Sequence, residues 1–286
     1  MCPLLCLGTA FLDGSWIASN IRLMPEPKIY RYILDVLLRE FEESAAPTYR
    51  DNYPLHILSC TWGLYAHIHR MARAVRLLVD NGMPHEAVPL ARSVLEYTIV
   101  LHWIIERGEA GVDAMLANQR KRVNAFLEHA KGTSLMIPPK FREELESVDV
   151  GVDEEETMKA FEQICRDTES SSLYAAYSFM CMYTHPTVSI SNSYVVESFR
   201  EPVLSTKPIG NGLADGSLAL MTHCLIWAGR DFDRLTPGHP REKDLELLAD
   251  QLDAANVLPP YSPKPPPGRR PGRRGRGNAR NKNKDS

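Results

Sequence analysis

From Glu26 onward, apolar residues return every three or four positions. Ile29, Ile33, Val36, Leu37 and Phe41 form one stripe, and Pro47 lies beyond its end, so the spacing predicts an amphipathic helix over 26–44. Asn52 to Val79 repeats the pattern over a longer span, with Pro54 tolerated in the first turn and Asn81-Gly82 closing it. Pro84 then starts another helix at once, and so short a connection makes the two antiparallel neighbours. This third segment, Pro84 to Arg107, is apolar on every side. Leu90, Val94 and Leu101 occupy one face, and Val88, Leu95, Ile99 and Trp103 the other. A helix without a polar face belongs in the middle of a bundle. Pro89 within it either kinks the first turn or moves the regular start toward Val88.

The remaining pattern is also helical. Val112 to Ala130 reads as a more polar helix ended by Lys131-Gly132. Pro138-Pro139 opens a short one to about Ser147, and Asp153 to Glu169 makes another. Ser171 to Thr184 is nearly uncharged and rich in aromatics and Met, which marks it as a second candidate for a buried helix. After Pro186 the run VSISNSYVVESF has β-branched residues but no helical period, and it reads as an irregular or extended crossover. Gly212 to Leu235 returns to helix and stops at Pro237-Gly238. A last amphipathic helix then turns Leu245, Leu248, Leu252 and Val257 inward. No internal repeat is visible. The expected fold is all-α, one helical bundle domain over 26–256, with a poorly ordered extension at 1–25 and a disordered Pro/Gly/Arg-rich tail at 257–286.

Charge divides the chain in two. From Ser262 to the end there are nine Lys or Arg and one Asp, a net of +8, which leaves 24 basic against 35 acidic residues before it, a net of -11. Within the acidic part, Phe141 to Glu169 carries eleven acidic and three basic residues, as expected of a solvated flank. The tail has almost nothing apolar to bury. Its Arg269, Arg270, Arg273, Arg274, Arg276 and Arg280 suit contact with RNA or DNA phosphates. It has no interleaved aromatics for base stacking, so little sequence preference is expected. A solubilising tail, or one folded back on the acidic flank, would have the same composition.

Six scattered cysteines without a C-x-x-C pair point to reduced thiols in a cytoplasmic protein. The opening MCPLLCLGTAFL is too short to span a bilayer and has no basic residue before it, so neither a signal peptide nor a membrane partner is expected. No H-E-x-x-H, Gly-rich phosphate loop or G-x-S-x-G occurs, and no cofactor or metal is called for.

The candidate chemistry lies on the two most apolar helices. Arg92 and Glu96 are the only charges between Ala87 and Ile105, and a spacing of four puts both on the Val88–Trp103 face. Tyr177, Cys181 and His185 follow one another at the same spacing, with Tyr174 beside them and His185 at the helix end before Pro186. The expectation is a buried cluster of Arg92, Glu96, Tyr177 and His185, either a structural ion pair with a capping histidine or part of a ligand or catalytic pocket. Cys181 is expected to be an inert small residue.

These residues carry a resemblance. A-R-S-x-x-E followed some ninety residues later by Y-x-x-x-C-x-x-x-H-P-T resembles the bacterial family called domain of unknown function 5677, over roughly Tyr30 to Leu235. The resemblance implies an all-helical domain and a site, but no reaction. Here Cys181 stands where the family pattern has Ser, which weakens any role that needs a hydroxyl. A looser resemblance runs to the HEPN ribonucleases, dimeric helical bundles in which His serves as base and Arg steadies phosphate across a gap of four to six residues. It implies a nuclease effector of a toxin or phage-defence system and makes a homodimer a candidate assembly. Arg50 with His56, Arg122 with His129, and Arg234 with His239 have such gaps, against about two pairs expected by chance.

Overall fold

A computed structural model describes residues 26–44, 54–134, 136–146, 158–196, 203–208 and 212–263. The expected extension at 1–25 and the arginines of the basic tail lie outside the described residues. Among those described, the order is α1 (Pro27–Glu43), α2 (Leu55–Asp80), α3 (Pro84–Arg107), α4 (Glu109–Lys131), α5 (Pro139–Glu146), α6 (Phe161–Asp167), α7 (Ser171–Thr184) and α8 (Val188–Asn192). A two-residue ribbon follows, β1 (Val195–Val196) and β2 (Val203–Leu204), and then α9 (Gly212–Asp233) and α10 (Glu242–Asp250). The fold is an all-α bundle.

The all-round apolar α3 is the central rod. Fifteen of its 24 residues are buried, and α2, α4, α6, α7 and α9 all pack on it. It is long and apolar enough to cross a bilayer, but 67% of its most apolar stretch is buried inside the protein. Pro89 is accommodated within the helix, one turn from its start. The antiparallel α1 and α2 are linked on their outer sides by Arg31–Asp80, Arg73–Glu42 and Arg76–Asp35 ion pairs. Exposed pairs of this kind orient helices more than they stabilise them. The work is done by Tyr30, Ile33, Leu34, Leu37 and Leu38, so the buried stripe of α1 is rotated from the expected one and Ile29 is left exposed. At the α3–α4 joint, Gly108 has a φ of 61°, open to glycine but strained for other residues. Three residues on, a Cβ at Gly111 would lie 2.9 Å from the Ile104 Cα, so the two helices meet backbone to backbone.

Three expectations need correction. Helix α7 has the predicted ends but not the predicted burial, since only Met180 and Tyr183 are buried. It lies against one side of α3, and its outer side is uncharged because it carries Ser, Ala and Met there. The segment after Pro186 is not simply extended. It forms α8, where the Ser193 hydroxyl donates to the Ser189 carbonyl, before pairing Val195 with Leu204 and Val196 with Val203. At the other end, Asp253 adopts a left-handed φ of 49°, which turns the chain so that Leu258 is buried and Val257 is 47% exposed. The packed body therefore runs past the expected boundary at Asn256, and the Ser262 N–H donates to the Asp167 carbonyl at 2.7 Å.

Candidate functional site

Where α7 crosses α3, the guanidinium of Arg92 engages both helices. Its Nη1 is 3.3 Å from Glu96 Oε2, and its Nε–H donates to Cys181 Sγ at 3.2 Å. Its Nη2 donates to the Tyr177 hydroxyl, and its central carbon stands 4.2 Å from the centre of the Tyr177 ring. Tyr177 in turn packs on Phe161, with ring centres 4.4 Å apart, and stacks on Tyr174. Burial opposes the charge on Arg92, but the Cys181 bond, the Tyr177 phenol and Glu96 together hold its pKa above the ordinary value. Burial, with Glu96 behind it, pushes the Tyr177 phenol up despite Arg92, so the phenol stays protonated near neutral pH. All three nitrogens of Arg92 are thus engaged within the fold.

The cluster is half-buried rather than sealed, since the Arg92 side chain is 17% exposed and that of Glu96 31%. Partial solvation lowers what the pair is worth. Glu96→Ala should cost about 1 kcal/mol, not the larger loss of a fully buried pair. In a thermal melt that is a drop of a few degrees. A fall of about 10 °C would mean that Glu96 holds up far more of the packing than its contacts indicate.

His185 does not join this cluster. It is exposed and makes no hydrogen bond with Arg92, Glu96 or Tyr177; its backbone N–H donates to the Cys181 carbonyl at 3.2 Å. The cause is Pro186, which draws His185 into extended backbone (ψ 156°), so the four-residue stripe stops at Cys181. The other Arg–His spacings are also separate. Arg122 and His129 are exposed on α4, Arg50 lies outside the described residues, and Arg234 pairs with Glu106 while His239 Nδ1 binds the Asp233 carbonyl.

The most deeply buried ionisable group of the central helix is one that hydropathy did not reveal. His102 is 1% exposed. Its Nδ1 lies 2.9 and 3.0 Å from the two carboxylate oxygens of Asp231 on α9, and its Nε2 lies 2.8 Å from the Pro259 carbonyl. Both ring nitrogens face acceptors, so both carry hydrogen and the ring is an imidazolium. Burial works against that charge, but the Asp231 hydrogen bond and charge, the Pro259 carbonyl and Glu106 outweigh it and raise the pKa. Around it the segment 258–262 is strapped down. The Tyr261 N–H donates to Glu106, the Tyr261 ring meets Trp103 edge-on at 6.5 Å, and Lys159 donates to the Tyr261 hydroxyl and to buried Asp167. In the sequence, a histidine inside an apolar helix passes as one more core residue, because its charge depends on partners that are distant along the chain. The only signal in the sequence was Asp231, an acid among the apolar residues of α9.

Nothing else among the described residues suggests metal or thiol chemistry. No group of three or more His, Cys, Asp or Glu is placed to hold a metal ion. Burial pushes the Cys60 thiol up to about 11 and those of Cys165 and Cys224 up to about 12, which leaves them unreactive.

Compared with known proteins, residues 58–201 match a family model described as a family of unknown function, DUF5677. No curated protein and no solved structure matches. The match is narrower than the expected Tyr30–Leu235. It includes Arg92, Glu96, Tyr177 and His185 and the whole of α3, but not α9, so the clasp joins His102 inside the matched region to Asp231 and Pro259 outside it.

Proposed function

Because the chain belongs to DUF5677, a family of unknown function, we propose that it acts as a non-catalytic helical platform that presents a basic arm to nucleic acid. The observation that supports this most is the state of Arg92. A guanidinium whose three nitrogens are engaged by Glu96, Cys181 and Tyr177 braces α7 onto α3 and has little left for a phosphate. With His185 outside its reach, the cluster also lacks the histidine base that an Arg–His nuclease site needs. In this reading Arg92, Glu96 and Tyr177 are structural.

The arm follows from the charge division. A body with a net of -11 repels a polyanion, so attraction falls to Arg269, Arg270, Arg273, Arg274, Arg276 and Arg280 in a tail of net +8. Cytoplasmic residence belongs to the same reading and is supported by free Cys60, Cys165, Cys181 and Cys224. Two assays test it. A chain ending at Pro263 should lose salt-sensitive retention of RNA and DNA, and equal retention by the full and shortened chains overturns the arm. RNA cleavage by the full chain that His185→Ala abolishes would overturn the non-catalytic platform.

A further inference from the structure

On the opposite side of α2 from α3, beside α1, His69 has an unusual set of neighbours. It is 2% exposed, its ring stacks on Phe41 with centres 4.2 Å apart and 20° between planes, and the Tyr65 ring meets it edge-on at 4.4 Å. Its Nδ1 lies 2.9 Å from the Tyr65 carbonyl, one turn earlier on the same helix. Burial, with some help from Arg241, pushes the imidazole down to about 3 despite the Tyr65 carbonyl, so it is neutral at physiological pH. A neutral ring that bonds a carbonyl through Nδ1 carries its hydrogen there and leaves Nε2 as a bare acceptor. No hydrogen bond reaches that nitrogen from any described residue.

His69 lines a cavity of about 390 Å³ between α1 and α2. Leu38, Phe41 and Leu77 give the cavity apolar walls. Its mouth carries Glu42 and Arg73, which pair with each other, and Arg70, which has no ion pair with a described residue. The described charged groups lining the mouth therefore sum to one excess positive charge. An acceptor at depth, apolar walls and a single uncompensated cation at the rim are complementary to a ligand with a hydroxyl, an apolar body and one negative charge. A dianionic phosphate would meet Glu42 with only one free guanidinium to offset it.

We propose that the α1–α2 cavity is a binding site for a small hydroxylated monocarboxylate with an apolar or aromatic body, whose hydroxyl donates to His69 Nε2 and whose carboxylate pairs with Arg70. The site uses none of the residues of the Arg92 cluster, the His102 clasp or the tail, and it stands or falls separately from the nucleic-acid reading.

The test uses the full chain and three probes of one shape: 4-hydroxybenzoate, benzoate, which lacks the donor, and methyl 4-hydroxybenzoate, which lacks the charge. In calorimetric titration 4-hydroxybenzoate should bind about tenfold more tightly than either of the others, the cost of one unmade hydrogen bond or one lost ion pair at a half-open site. In His69→Phe, which keeps a ring stacked on Phe41, the advantage of 4-hydroxybenzoate over benzoate should vanish while benzoate binds as before. The histidine side-chain nitrogen resonances of the wild type should report the same event, with Nε2 of His69 shifting on addition of 4-hydroxybenzoate. Equal affinity of the wild type for 4-hydroxybenzoate and benzoate overturns the proposal, as does the absence of any shift at His69 up to about 10 mM probe.

Discussion

Asp231→Ala should destabilise the protein by about 3–5 kcal/mol, the loss expected when one member of a buried ion pair is removed and the other is left behind. Asp231 is 4% exposed and His102 1%, so the imidazolium would face an empty site in a medium that solvates it poorly. Its other partner, the Pro259 carbonyl, offers a dipole but no charge. Arg234, bound to both Asp231 and Glu106, would keep only the latter. For a chain of this size the loss corresponds to roughly a 10 °C lower melting temperature. Replacing both His102 and Asp231 with Leu should recover much of it, because no buried charge then remains. A single-mutant shift of less than about 3 °C would show that His102 is not held as an imidazolium.

The clasp also sets a pH window. The folded pKa of His102 is raised above its ordinary 6.5, so its contribution is complete below about pH 6.5 and is lost as pH climbs through the raised value. Glu106 behaves oppositely. Burial would raise its pKa, but Arg234 and His102 overcome that and lower it, so its contribution is present above about pH 4.5 and is lost as pH falls through the depressed value. Wild-type stability should therefore be greatest between these limits, and Asp231→Ala should lose the alkaline slope. What unfastens at high pH is the strap from Leu258 to Ser262, which is otherwise held by packing and by Lys159 and Asp167.

The uneven legibility of the sequence has a physical basis. The central position of α3 could be read at once, because only a helix enclosed by others can be apolar all round. The crossing of α3 by α7 was legible through Arg92 and Tyr177, since a few polar side chains in two apolar helices are the groups that need partners. What the pattern could not supply was depth. Helix α7 is uncharged but half-exposed, and uncharged composition alone does not distinguish a covered face from a quiet outer one. Nor could it supply the protonation of His102, which depends on Asp231 and Pro259, 129 and 157 residues away. The spacing of His67 and His69 argues only against a shared ligand, and the acceptor on His69 matters only beside a cavity that two helices make together. The boundary at Asn256 failed on one residue, since the turn at Asp253 exchanges Val257 for Leu258.

Removal of residues 264–286 should leave the melting temperature unchanged and reduce nucleic-acid affinity by about a thousandfold at low salt. The cut belongs after Pro263, because the Ser262 N–H is bonded to Asp167 and Tyr261 to Glu106 and Lys159, so an earlier one would open the strap and confuse stability with binding. Six arginines that each neutralise one phosphate give a slope of log affinity against log salt of about -5 on duplex DNA and about -4 on single strands. Raising salt from about 50 to 200 mM should then weaken duplex binding by the same factor of about a thousand. The shortened chain, with its net of -11, should show weak retention and little slope. Arg-to-Gln changes within the six should each lower the duplex slope by about 0.9, because each removes one phosphate neutralised. A slope that stays near -5 after the tail is removed would move the contact to the body and end the arm's role.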